Sequence, residues 1–394
     1  MVSAVSKCIG LAISFVGIVV GNATGAGAGG FVVPCLFIFF NYKIVESVAL
    51  WNAVTLIVSG WRFIYALKSR ERHPEGNKSI VDFNSVLIFL PLLFIGIECG
   101  FITMSILPEG VKLIIFTLML FILTGFTVRK AYIKRRKESS AKKPLIVNVS
   151  IETNSVLSAD EAGSYFPVKK IALNGVAFLL LTATHLLLGS RKTASIVGIE
   201  LCSFEYWFGL FIYFSLLILL LWHNYKLVKR ERAENIKKNI MPLPSEFEWT
   251  VGLIRNIALL SVLSGFFSSS YGVGGAVILN MILIYKGVNP EVVTSTTMLS
   301  VVSTCLSTTA VYSISGILPI DVYSITLLVL SLPLTIISYK YLKKVLSKHA
   351  SIILFVLAGA LGVSGMLIIT FGFYKENVID GNKNIWSFGS ACHS

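Results

Sequence analysis

Apolar segments run almost end to end through this chain, at about 5–22, 28–41, 44–67, 84–105, 111–129, 171–189, 203–223, 251–270, 273–286, 290–314, 319–338 and 351–373. A helix needs roughly 20 apolar residues to cross a bilayer. Most of the segments reach or approach that length, while 28–41 and 273–286 fall clearly short. The hydrophobic share is 55% and the charged share 14% of 394 residues, against roughly 25% charged in soluble domains. The chain therefore reads as an all-α, multi-pass integral membrane protein, in the plasma membrane or an endomembrane.

A formal charge of +14 raises the question of a nucleic-acid partner. The Lys and Arg residues, however, fall in short connections such as KSRER (68–72), RKAYIKRRK (129–137) and KLVKRER (226–232). That is the pattern of loops held on the cytosolic side, so lipid is expected as a partner and nucleic acid is not. The sequons at Asn77 and Asn148 then lie in the cytosol and stay unmodified. Six cysteines are scattered without metal-ligand spacing, which indicates neither a zinc site nor a disulfide framework.

Two polar, basic linkers divide the chain. The expected organisation is a first transmembrane repeat over 1–130, a cytosolic linker over 131–170, and a central pair of spans over 171–223. A second linker over 224–250, a second repeat over 251–375 and a tail over 376–394 complete it. GAGGFVVPCLFIFFNYKIVE (27–46) overlays GVGGAVILNMILIYKGVNPE (272–291) without a gap, its glycines coinciding and Glu46 meeting Glu291. With the basic loops inside, the first copy starts outside and the second starts inside, so the repeats are inverted. Inverted repeats with short or glycine-interrupted segments at matching positions mark the binding region of secondary transporters. Each short pair, 5–41 and 251–286, crosses twice or dips in and returns; parity allows both. The stretch from Ile9 to Gly21 also resembles a signal-peptide core, but its counterpart at 251–270 favours a retained span.

GNATGAGAGG (21–30) and SSSYGVGG (268–275) stand where an apolar segment ends and a short one begins. Glycine lets the backbone break and turn its N–H groups inward, and the next helix adds the positive end of its dipole, which together favour an anion. Broken backbone at membrane depth is tolerated where it is buried in protein or lines a wet cavity. Close packing through small residues competes with an anion site here, and Gly21, Gly25 and Gly29 fit its spacing.

Hydroxyl and amide groups gather around both breaks. The candidate substrate-binding residues are Asn22, Thr24, Gly25, Gly27, Gly29, Gly30 and Asn52 in the first copy. In the second they are Ser269, Ser270, Tyr271, Gly272, Gly274, Gly275, Thr296 and Thr297. Neutral donors can converge on an oxyanion without a fixed counter-charge that would trap it. Ionisable residues within spans are expensive, hence functional candidates: Glu98 in FIGIECGF for coupling to protons, Arg62 for sensing charge. His185 reads as a hydrogen-bonded interior histidine. Neither a GxSxG elbow, HExxH nor a Walker lysine is present, so no enzyme, metal or cofactor is expected. GAGAGG at 25–30 fits GxGxxG only formally, because no βαβ unit surrounds it.

At these residues the chain resembles the sulfite exporter TauE/SafE family in its plant-like form. The shared features are GAGAGGFVVPCL (25–36), RHP (72–74), PLLFIGIECGF (91–101) with ILPEG (106–110), EYWFGLF (205–211), and GVGGAVI (272–278) before GVNPEVVTSTT (287–297). The resemblance runs over roughly residues 5–375. It implies export or exchange of small sulfur-containing anions such as sulfite or organosulfonates, driven by an ion gradient. By position Gly25, Gly27, Gly29, Gly30 and Pro34 match the first motif, and Gly272, Gly274 and Gly275 the second. Ala276 and Met281 depart from it where the family carries glycine and proline. The expected function is secondary anion transport; an anion channel and a non-transporting receptor or scaffold are the alternatives.

Overall fold

The computed structural model describes residues 4–24, 28–68, 79–140, 168–189, 195–238, 249–273, 278–280, 283, 288, 290–375 and 386–388. Within them the chain is all-α. The helices are α1 (Ala4–Thr24), α2 (Gly29–Phe39), α3 (Ile44–Lys68), α4 (Phe83–Ile106), α5 (Glu109–Ser140), α6 (Val168–Leu188) and α7 (Phe204–Lys237). They continue with α8 (Val251–Tyr271), α9 (Pro290–Ile314) and α10 (Val322–Tyr374). Among the described residues nine segments are long and apolar enough to cross a membrane. The start of α1 and the whole of α2 are shorter apolar helices, Val5–Val19 and Gly29–Phe39.

Local chemistry sets the ends. Asp82 caps α4 by accepting from the backbone N–H of Asn84 and Ser85, Ser203 caps α7 through Tyr206, and Thr250 caps α8 through Leu253. Each satisfies donors that the first turn leaves without a helical acceptor. At the other end of α8, Gly272 adopts φ +65 and returns its N–H to the Ser268 carbonyl, a left-handed stop that glycine takes without a Cβ penalty.

α1 and α2 form a hairpin. Gly10 lies against Phe39 and Phe40 while Gly17 lies against Phe31 and Val32, so the two run antiparallel. Lys7 near the start of α1 and Phe40 at the end of α2 both sit on the Tyr323 ring. Both ends of the hairpin are therefore on one side of the molecule.

α10 also doubles back. A straight helix of 53 residues would span about 80 Å at 1.5 Å per residue, yet its two ends meet at Tyr42. The Tyr42 hydroxyl donates to Asp321 at 2.6 Å, and Lys375 Nζ donates to the Tyr42 carbonyl at 2.9 Å. The stretch is thus two antiparallel arms, Val322–Tyr339 and Leu354–Tyr374.

The hydrophobic interior falls into two bodies. One joins α1, α2, α3 and α5 to both arms of α10, around Val32, Leu36, Leu50, Phe116, Leu327 and Leu361. The other joins α4, α6, α7, α8 and α9, around Phe89, Leu93, Leu181, Leu217 and Val293. Within the first body α1 and α5 pack on α10, within the second α4 packs on α8, and between the two α3 packs on α9. The α4–α8 contact is the tightest. A Cβ on Gly96, Gly100 or Gly265 would collide with the Val262 carbonyl, the Ser269 hydroxyl or the Leu93 carbonyl respectively. Small residues here let two backbones approach.

One expectation is corrected. Cys202, in the connection between α6 and α7, takes part in a disulfide bond. Cys8, Cys35, Cys99 and Cys305 are free thiols, and Cys392 lies outside the described residues. Scattered cysteines separated by long helices carry no spacing signal, so the pairing has no trace in the sequence.

Candidate functional site

The two glycine breaks touch. Gly29 opens α2 and Gly272 closes α8, and a Cβ on Gly29 would fall within the radius of the Gly272 carbonyl oxygen and 2.5 Å from Trp51 Nε1. A Cβ on Gly272 would reach Trp51 Cδ1 at 3.0 Å and Val33 at 3.2 Å. The indole of Trp51 on α3 therefore seals the junction. α2 begins there without a side-chain cap: Ala28 precedes it and offers no side-chain acceptor. Further in, Pro34 has no N–H to return to the Gly30 carbonyl. Backbone donors and an acceptor at the break are thus left outside the regular helical ladder.

The polar residues around the junction come from α3, α8 and α9. Asn52, next to Trp51, is 1% exposed, and its Oδ1 faces the Cys305 thiol of α9 at 3.8 Å. Its Nδ2 is buried without a partner, as are the hydroxyls of Ser268 and Ser270. Buried donors left unpaired cost roughly 1–3 kcal/mol each, and such groups call for an ion or a water to satisfy them.

Other candidates are already engaged. Ser269 Oγ donates to the Ile97 carbonyl at 3.0 Å, and its own carbonyl accepts from the Tyr312 hydroxyl at 2.6 Å. Tyr271 is stacked on Phe116. Gly30 faces Leu361 and Leu120, a packing contact away from the Gly272 side.

The structure does not bring Thr296 and Thr297 to the junction. Thr296 Oγ1 accepts the backbone N–H of Asp82 at 2.9 Å, at the capped start of α4. Thr297 donates to Asn280 Oδ1 at 2.6 Å. At 1.5 Å per residue Thr296 stands roughly 13 Å along α9 from the level of Cys305. Gly25, Gly27, Gly274 and Gly275 lie outside the described residues, as do the side chains of Asn22, Thr24 and Glu291.

Glu98 and His185 form a pair that the sequence alone does not show. His185 Nε2 and Glu98 Oε2 are 2.8 Å apart, with side chains 6% and 2% exposed. Arg62 lies on α3 ten residues beyond Asn52, near Tyr339, with its Nε buried and unpartnered. Arg255 is exposed near the start of α8. Among the described residues no group of three or more His, Cys, Asp or Glu is placed to hold a metal ion.

Sequence reasoning missed Trp51 and Cys305. Trp51 carries no motif, and only its position one residue before Asn52 could have directed attention to it.

Helices of spanning length and exposed apolar side chains on α7 such as Phe208, Phe211 and Leu219 define a multi-pass integral membrane protein. No family model matches the chain, and no solved structure matches it. Curated relatives do. Sulfite exporter TauE/SafE family protein 1 of Arabidopsis thaliana is 24% identical over 390 residues, covering 93% of this chain and 84% of that protein. Family proteins 5 and 2 of the same plant are each 22% identical, covering 91% of this chain and 81% and 82% of their own lengths. This similarity, over about nine-tenths of the chain, supports its assignment to the sulfite exporter TauE/SafE family.

Proposed function

We propose that the protein is a secondary transporter of small anions of the sulfite or organosulfonate class. The observation that carries this reading is the junction of Gly29 with Gly272, where two interrupted helices meet beside buried donors that have no protein partner. Asn52 Nδ2, Ser268 and Ser270 supply neutral hydrogen bonds, and the uncapped start of α2 supplies a positive dipole end. These are the groups that replace the hydration shell of an oxyanion without fixing it by a full charge. The names of the relatives point to the same chemical class.

Alternating access follows from an inverted repeat. In that arrangement α1, α2, α3, α4 and α5 correspond to α8, the second short segment, α9 and the two arms of α10. The packing supports it, because exchange of equivalent elements turns the α4–α8 contact into the α1–α10 contact and maps α3–α9 and α5–α10 onto themselves. The two bodies then rock about the junction, exposing it first to one side and then to the other.

Flux of labelled sulfite, sulfate and a taurine-like sulfonate into proteoliposomes, with and without a pH gradient, tests this. Saturable movement of at least one anion is expected. A folded protein that moves none of them under any gradient overturns the reading, and passive, non-saturating, voltage-following current favours a channel instead.

A further inference from the structure

The two helices that belong to neither repeat, α6 and α7, place a titratable group against the first repeat at one point. His185 of α6 meets Glu98 of α4 at 2.8 Å, both nearly solvent-free. Paired carboxylate and imidazole groups inside a membrane are costly, and such residues mark proton pathways. This pair sits in a defined surround. Phe101 lies edge-on to the His185 ring and touches Tyr312 of α9. Tyr206 and Tyr213 of α7 and the adjacent Cys99 are within electrostatic reach of Glu98. Tyr213 is 1% exposed and its hydroxyl is buried without a hydrogen-bond partner.

The pair is also wired to the helical break. The residue before Glu98, Ile97, accepts the Ser269 hydroxyl at 3.0 Å through its carbonyl. Gly100, two residues on, is pressed against Ser269 and Ser270. Any shift of α4 at Glu98 therefore moves the end of α8 where the anion is proposed to bind.

We propose that Glu98 and His185 form a proton-binding site that couples proton uptake to anion binding at the neighbouring break; this rests on the transport reading above. With one proton between them the pair has no net charge, whether as carboxylate and imidazolium or as acid and imidazole. A second proton, taken from water, leaves a neutral carboxylic acid and an imidazolium, a net charge of +1. In a low-dielectric interior that charge is costly alone and is offset when an anion occupies the break. Proton and anion therefore favour each other's binding, reciprocally. The central helices thereby gain a role: α6 supplies the basic partner that the first repeat lacks at Glu98.

The test uses the full-length purified protein and methanesulfonate, a probe that does not itself titrate near neutrality. Its affinity is measured across the whole pH range over which the protein stays folded. One linked proton strengthens binding by up to about tenfold per unit of falling pH. Glu98→Gln and His185→Gln are each expected to flatten that dependence. In parallel, infrared spectra should show a protonated-carboxyl band that grows on acidification and is missing in Glu98→Gln.

If the wild-type slope survives in Glu98→Gln, the proton site is wrong and the anion site stands. If methanesulfonate fails to bind at any pH while the carboxyl band titrates and disappears in Glu98→Gln, the proton site stands and the reading of the break fails. An infrared pH response identical in wild type and Glu98→Gln overturns the proposal outright.

Discussion

At Gly29 a single missing carbon decides whether two helices can meet. A Cβ there would occupy the space of the Gly272 carbonyl and crowd Trp51, neither of which is a flexible side-chain tip. Overpacking of this kind costs roughly 1–3 kcal/mol or more, so Gly29→Ala is expected to lower the thermal unfolding midpoint in detergent and to slow anion flux. Gly60 is the control, because nothing lies within 4 Å of a Cβ at that position. There alanine gains up to about 1 kcal/mol of helix propensity, and flux should be unchanged. Equal effects at the two positions would show that glycine at the break serves no special contact.

The sequence marked GAGAGG and GVGG openly, since each glycine weakens a helix and a cluster of them in an apolar run interrupts it. It did not mark Gly96, Gly100 and Gly265 as the closest helix contact, because isolated glycines gain meaning only once α4 and α8 are known to be neighbours.

Among the elements, α2 was visible as a short apolar segment, but its partner in the fold was not. The antiparallel pairing of this 11-residue helix with α1 emerges only from Gly10 lying against Phe39 and Gly17 against Phe31. The same holds for α10, whose two arms are held at their free ends by Tyr42, Asp321 and Lys375. Asp321 also caps α10 by accepting from Ser324 at 2.8 Å. Burial alone would push its carboxyl up, but hydrogen bonds from Ser324 and Tyr42 and the charge of Lys7 outweigh this and hold it below its usual range.

A depressed carboxylate contributes stability above its unfolded value, near pH 4, and loses that contribution as pH falls through the lower folded value. The difference in unfolding midpoint between wild type and Asp321→Asn should therefore be constant at mildly acidic and neutral pH and close in stronger acid. A difference that persists at the lowest pH at which the protein stays folded would mean that Asp321 acts through shape and not through its charge.

Over the whole molecule, the alternation of basic loops predicts spans and sides together. The disulfide-bonded Cys202 lies in the α6–α7 connection, at the end of α7 opposite Lys229 and Arg230. Disulfides persist in oxidising compartments. On sealed vesicles, an impermeant thiol reagent should label Cys202 after reduction and from one face only, the face opposite the one at which an amine reagent reaches Lys229. Labelling of both from the same face would break the topology.

The proposed inverted arrangement rests on the overlay of residues 27–46 on 272–291, a likeness legible in the sequence. The Glu98–His185 pair was not, because it joins residues 87 positions apart on helices whose adjacency no periodicity encodes. The idle donors were likewise invisible, since a serine in an apolar helix most often bonds the carbonyl one turn back, as Thr308 does with Thr304.

Whether the two breaks make one anion site is tested most directly by calorimetric titration of sulfite into the purified protein and into Asn52→Ala and Ser270→Ala. Neither change adds volume, and each removes one donor from a different half of the junction. Hydrogen bonds to charged groups are worth roughly 1.5–3 kcal/mol, so either variant should weaken a single saturable site by about ten- to a hundredfold. Absence of saturable binding in the wild type, or wild-type affinity in both variants, would contradict a shared site at Gly29 and Gly272.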